Sequence, residues 1–458
     1  MSKTLFLDDA LLPGGFARNV RVDLDDRGTI LAVEPDAPRG DQAAAAALPG
    51  IAIPGLPNLH SHAFQRGMAG LAERRSPTGD SFWTWREVMY RFLAALSPDD
   101  VEAIAAFAYV EMLERGFTGV GEFHYLHHDV DGRPYADPAE LAGRIVAAAG
   151  TAGIGLTLLP SFYARGGFAA PPDDSQRRFA TDLEGFARLL DATRAHAGRL
   201  PGAKVGTAPH SLRAVPSAWL AAVASLAPEG PIHIHAAEQL REVEECLAAT
   251  GRRPVELLLD KAGLDRRWCL IHATHMSASE TAGLAASGAV AGLCPITEAS
   301  LGDGIFPGPA YLAAGGPFGI GTDSNIDIDA AGELRQLEYS QRLCLRGRNL
   351  MTTEPTESTG QRLLAEALAG GAQALAQPMG AIAPGRRCDL VLLDADHPAF
   401  AGAGPETWLD AWIFSAGREA VSTVVAGGRV VVSEGRHVAR EPVLRRYRDT
   451  MRRLAGRA

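Results

Sequence analysis

Four points along this sequence place a metal-ligating side chain where an apolar run ends. The first is Leu59-His60-Ser61-His62. Side chains two apart in an extended strand share a face, so both imidazoles can reach one ion. A His-x-His is common by chance, but this one follows the buried-looking run Pro54-Gly55-Leu56-Pro57-Asn58. The second is His233-Ile234-His235, with Glu238 three residues further on. His235, nearer the end of the run, is the candidate ligand, and Glu238 is placed to shuttle protons to and from an activated water. His233 lies earlier, deeper in any packed sheet, and reads more simply as a core histidine. The third is Leu270-Ile271-His272 and the fourth is Gly319-Ile320-Gly321-Thr322-Asp323. Alone, an aspartate there is more often a helix cap, and four such strand ends in order are hard to explain that way. Three histidines and a carboxylate suit zinc or ferrous iron. His60, His62, His235 and Asp323 are therefore expected to hold a divalent ion, Zn2+ by default with Fe2+ the alternative. Glu238, His272 and Asp323 are the expected catalytic groups.

These residues need a frame that brings distant strand ends together. Short apolar runs at 51–59, 119–123, 154–162, 204–209, 232–236, 269–273, 289–294 and 318–321 alternate with helical stretches. Eight strands alternating with helices predict an α/β fold with a (β/α)8 TIM-like barrel, whose sites sit at the C-terminal ends of the strands. Strand-like runs also occur at 3–7, 19–23 and 30–34, and again at 389–394, 421–425 and 429–432. Neither set suffices for a core, so the two ends are expected to meet in one small β-sandwich. The expected division is 1–54 and 381–458 for that sandwich and 55–380 for the barrel. The connection 64–96 is long, and long connections on this face often touch substrate. With 458 residues, 47% hydrophobic, one large and one small unit are expected. The net charge of −10 and the lack of a dense basic block argue against nucleic acid as a partner. No apolar run is long enough to suggest a membrane span. Five dispersed cysteines and an N-terminus without a secretory pattern predict a cytoplasmic protein.

The four strand ends and the His235-Ala236-Ala237-Glu238 arrangement resemble the deaminase branch of the amidohydrolase superfamily, over nearly the whole chain. Four further stretches carry the resemblance to one kind of member: Asn58-Leu59-His60-Ser61-His62-Ala63-Phe64-Gln65-Arg66, Ser81-Phe82-Trp83-Thr84-Trp85-Arg86, Glu122-Phe123-His124-Tyr125-Leu126-His127-His128, and His210-Ser211-Leu212-Arg213-Ala214-Val215. The lead Thr207-Ala208-Pro209 looks more like the wider superfamily. The resemblance implies hydrolysis of N-formimidoyl-L-glutamate, a small dicarboxylate, to N-formyl-L-glutamate and ammonia in histidine degradation, by a homodimer. It also implies one metal ion, because two-metal relatives bridge their ions with a lysine at the end of strand four, and here Lys204 stands at the other end. A divalent ion lowers the pKa of a water bound to it from ~16 towards ~7, giving a nucleophile at neutral pH. Either Glu238 or His272 could be the main proton carrier.

Substrate recognition on this resemblance falls to Gln65, Arg86, Tyr125, His210 and Arg213. Arginine matches a carboxylate bidentately, which suits a substrate with two carboxylates. The bland alternatives are Arg86 paired with Glu87 on a surface helix, with Trp83 and Trp85 as core, and Arg213 paired outward. His124, His127, His128 and His275 are expected to support the site or the fold. A nucleobase or nucleoside deaminase is the rival within the superfamily, and a non-catalytic barrel scaffold the rival outside enzymes.

Overall fold

The computed structural model describes residues 3–38, 46–77, 79–168, 170–354 and 357–456. At the chain ends, alternating burial produces strands that pair with each other across the whole sequence. Ala46–Pro54 lies parallel to Lys3–Leu12 and antiparallel to Leu390–Leu393. Outward from there run Gly15–Leu24 and Ile30–Glu34 on one side. On the other side run Val421–Ala426, Arg429–Ser433 and Arg436–His437. The two ends therefore do join, as one continuous eight-stranded sheet rather than as two separate ones. Leu5, Leu7, Val20, Val22, Leu390 and Leu392 share a buried cluster on it. Gly427 and Gly428, with φ of 55° and 74°, make the tight hairpin that the right-handed twist of the strands favours.

The second framework is parallel. Leu56–Ser61, Phe117–His124, Gly155–Phe162 and Lys204–Val205 form one arc, with Ala208–Pro209 beside the third strand. Ile232–Ala236, Trp268–His272, Val290–Leu293 and Phe318–Ile320 form the other. Parallel bridges join the arcs at both seams, Ser61 to Asp323 and Thr207 to Ile232. Side chains on these strands are almost entirely buried, as expected of parallel strands covered by helices.

Two expected strands differ. The apolar run 51–59 divides at Gly55, whose N–H bonds Asp389 in the terminal sheet while Leu56 N–H bonds Gly116 in the parallel one. A Cβ at Gly55 would lie 2.3 Å from Thr118 Oγ1, so the handover between sheets needs glycine. The fourth run, 204–209, is broken because Gly206 N–H turns to Leu158 and Thr207 N–H to Pro231, on opposite neighbours.

One end of the parallel set is sealed by the helix Thr359–Leu375. His233 Nε2 bonds the Ala374 carbonyl at 2.8 Å and Thr157 Oγ1 bonds that of Leu375 at 2.8 Å. His233 is thus the core histidine its early position suggests. The long connection after the first parallel strand folds into a 3-10 turn, Ala63–Met68, and a helix, Phe82–Leu93, started by the Ser81–Thr84 capping box. Phe82, Met89 and Leu93 are its buried stripe, and Arg86 lies between them at helical spacing, facing the same way. No helix of the described residues is long and apolar enough to cross a membrane.

Candidate active site

All four expected ligands meet at the open end of the parallel strands. His235 Nε2 lies 3.2 Å from His60 Nε2 and 3.4 Å from His62 Nε2. Asp323 Oδ1 lies 3.3 Å from His60 Nε2 and 3.4 Å from His62 Nε2. The protons on these rings can be placed. His62 Nδ1 bonds the Phe123 carbonyl at 2.8 Å and His235 Nδ1 bonds that of His210 at 2.9 Å. A carbonyl only accepts, so both Nδ1 atoms carry hydrogen and both Nε2 atoms present bare lone pairs. Burial lowers the pKa of His60 to about 3 and that of His62 and His235 below the ordinary histidine value. The Asp323 carboxyl is held below the ordinary carboxylate range against its burial, by its hydrogen bond with His60 first and then by His62 and His272. Converging lone pairs and one carboxylate, all buried, are a donor set that fits a divalent cation and repels itself without one.

Glu238, just beyond the strand that carries His235, and His272, at the end of the neighbouring strand, face this cluster. His272 Nε2 is 3.7 Å from Glu238 Oε1 and 3.9 Å from Asp323 Oδ2, and its Nδ1 is 3.2 Å from Glu298 Oε1. Burial alone would lower its pKa, but Glu238, Glu298 and Asp323 outweigh that and hold it well above the usual histidine range. Its Nδ1 donates to Glu298, and the carboxylates of Glu238 and Asp323 favour a proton on Nε2 as well. Burial raises Glu238 above the ordinary carboxylate range, towards the value of an effective base near neutral pH. Glu242 fixes the loop, accepting from the N–H groups of Ala237 and Glu238 at 3.1 and 3.0 Å.

The expected recognition residues line the same pocket. Gln65 Nε2 donates to Tyr125 Oη at 3.1 Å. The Tyr125 ring stands edge-on to His62 at 5.0 Å. His210 contacts Tyr125 and Tyr163 by its ring. Burial and nearby Arg213 keep it neutral. Arg86 is packed over Trp83 and Tyr90 rather than on Glu87. Arg213 is 7% exposed and its Nε has no partner. Of the other expected histidines, His127 bonds the Ser161 carbonyl, His128 that of Ala180 and His275 that of Asp303, whereas His124 is buried with no partner at Nε2 among the described residues.

Three supports escaped the sequence reading. Glu298 orients His272. Asn58 exchanges bonds with Thr322, at 2.7 Å to Oγ1 and 3.1 Å from the Thr322 N–H. Asn325 bonds Ser61, the His62 carbonyl and the Asp323 carbonyl. The Asn58 signal was present, since it alternates with His60 and His62 on one strand face and a buried amide needs partners. His272, Cys294 and Glu298 also converge. There Glu298 Oε1 is already engaged by the Cys294 N–H and His272, so the cluster reads as a brace for His272. Ala237, His272 and Asp323 have φ of 52°, 69° and 44°. Such left-handed residues cost ~1–3 kcal/mol each and collect where a site needs them.

Comparison with known proteins places this geometry. The amidohydrolase family profile matches residues 51–431. Formimidoylglutamate deiminase of Pseudomonas aeruginosa is 50% identical over 445 residues, 97% of each chain. The 8-oxoguanine deaminase of the same organism is 29% identical over 399 residues, covering 83% of this chain and 82% of its own. A crystal structure of an amidohydrolase from Brucella melitensis superposes with a TM-score of 0.94 at 49% identity, over 99% of this chain and 100% of that one. With most of its length matched by the profile and nearly all of it shared with a half-identical relative, the chain belongs to the amidohydrolase family of hydrolases.

Proposed function

We propose that this chain hydrolyses N-formimidoyl-L-glutamate to N-formyl-L-glutamate and ammonia, breaking the C–N bond of the formimino group. The observation that carries the reading is a pocket in which Arg86 and Arg213, neither in an ion pair among the described residues, face the same space as Glu238, His272 and the His60–His62–His235–Asp323 cluster. The half-identical deiminase relative supports the same substrate. A purine pocket has no need of two arginines, and a scaffold has no need of a complete set of converging donors.

In this reading His60, His62, His235 and Asp323 hold one divalent ion, and imidazole with carboxylate favours zinc, with ferrous iron next. When bound, the ion supplies Lewis acidity and water activation. Glu238 takes one proton of the attacking water as its oxygen adds to the formimino carbon and passes it to the formimino nitrogen, which receives the electron pair of the C=N bond. The hydroxyl of the resulting intermediate then gives up its second proton, which Glu238 relays to the departing nitrogen as the C–N bond breaks, leaving the formyl C=O and ammonia. His272 faces that oxygen and hydrogen-bonds it as its proton leaves. Arg86, Arg213, Gln65, Tyr125 and His210 hold the two carboxylates and the chain between them. Sealing of the far end by Thr359–Leu375 supports a closed (β/α)8 barrel open only at the site, bounded by a terminal unit of residues 1–54 and 381–458 around 55–380.

Ammonia release should be measured with N-formimidoyl-L-glutamate, guanine, adenosine and S-adenosylhomocysteine. Turnover of the formimino acid alone is expected, and efficient turnover of a purine without it sinks the reading. In the same assay Arg86→Met and Arg213→Met should each raise KM by about 10–100-fold, the loss of a charge-assisted contact of ~1.5–3 kcal/mol. Unchanged KM in both removes the arginines from the pocket chemistry.

A further inference from the structure

The two arginines that face the pocket carry like charge and need something other than an acid to hold them. Both lie on one indole. The Trp83 ring centroid is 4.6 Å from Arg86 Cζ and 5.5 Å from Arg213 Cζ. A third arginine, Arg241, lies 4.4 Å from the same centroid, with its charge answered by Glu245 at 2.7 Å. Trp83 itself is not a wall of the pocket, whereas Arg86 and Arg213 are. Its backbone N–H is fixed at the helix start by Ser81 Oγ, which sets where the indole projects.

We propose that Trp83 is a positioning residue that sets the spacing of Arg86 and Arg213 so that together they read a dicarboxylate. Indole is the strongest of the aromatic partners for a cation, and a guanidinium stacked on a ring keeps its N–H edge free for a carboxylate. An acidic partner would do the opposite, by occupying that edge and cancelling the charge. Arg213 Nε, buried and without a partner, is such a free donor. Without the indole, Arg213 loses its ring support and is left with the attraction of Glu242, the leading charge that favours its protonated form against the cost of burial. Arg86 would then keep only Tyr90, 5.5 Å away. Trp83 is thus a specificity element acting through the arginines rather than a core side chain.

The inference rests on the dicarboxylate reading of the pocket, and binding separates the two. Metal-replete wild type, Trp83→Leu and Trp83→Phe are titrated by calorimetry with N-formyl-L-glutamate and with N-formyl-4-aminobutyrate, which lacks one carboxylate. Trp83→Leu should weaken the diacid by about 10-fold, the worth of a pair of cation–π contacts, and the monoacid by only about 2-fold. In turnover of N-formimidoyl-L-glutamate its KM should rise by about 10-fold with kcat within about 3-fold. Trp83→Phe keeps an aromatic face and should recover most of the diacid preference, which also answers for any folding defect of the leucine variant. Equal weakening of both ligands, or a kcat loss matching the change in KM, overturns the role of Trp83. A wild type that does not prefer the diacid sinks the pocket reading and this inference with it.

Discussion

Glu238→Gln should lower kcat by about 10³-fold while leaving KM within a few-fold and metal content unchanged, since positioned proton transfer is worth ~10²–10⁴-fold. The substitution keeps size and removes only the ability to take a proton. Glu238 stands apart from the three imidazoles that converge, so the donor cluster keeps its composition. It also stands 3.7 Å from His272 Nε2, where a carboxylate favours the doubly protonated ring. The amide therefore removes the base and weakens the neighbouring acid together. Steady-state kinetics of ammonia release, with metal analysis of the same sample, checks this. If the variant keeps more than about a tenth of wild-type kcat, a loss below that of general base removal, the proton carrier is His272 rather than Glu238.

The strand-end residues were legible because their geometry is local. Alternation along a strand sends His60 and His62 the same way, and parallel strands end at a common level, so separate sequence positions become one cluster. Arg86 was legible in kind, but its direction came from the helix that Ser81 starts and Phe82 and Met89 anchor. What could not be read were partners chosen across the whole chain. Asn58 meets Thr322 from 264 residues away, and no spacing rule reaches that far. Glu298 follows Cys294 by four residues in the first turn of a helix, where a glutamate is ordinarily explained by the helix dipole. The left-handed backbone of His272 and Asp323 left only a weak mark, because histidine and aspartate adopt that region more often than most side chains without requiring it as glycine does. The division at Gly55 was hidden by an apolar run that continues through it, and only the two sheets competing for adjacent N–H groups separate its halves.

Removal of bound metal should abolish activity and also loosen the fold, because the donor set is built with its lone pairs turned inward. The Phe123 and His210 carbonyls commit His62 and His235 to protons on Nδ1, so their Nε2 atoms cannot relieve one another by a tautomer change. Adding a proton is opposed by burial, which holds the His60 ring neutral down to a pKa of about 3. Asn58, Thr322 and Asn325 keep the strands carrying His60, His62 and Asp323 from moving apart. A rigid, self-repelling cluster makes the ion a structural ligand as well as a chemical one. A site at 100 times its Kd contributes ~2.7 kcal/mol, so stripping should lower Tm on the order of 3–5 °C. Lost Lewis acidity, worth several kcal/mol, should cut kcat/KM by at least ~10³-fold. Chelation followed by dialysis gives the stripped protein, and adding back one equivalent of Zn2+ should restore both Tm and turnover. Asp323→Asn should show the same pair of losses at limiting zinc, because a neutral amide oxygen binds a divalent cation less strongly than a charged carboxylate. Full activity in protein shown to be metal-free would remove the cluster from the chemistry. Loss of activity with an unchanged Tm would instead mean that the strand-end bonding tolerates the bare site.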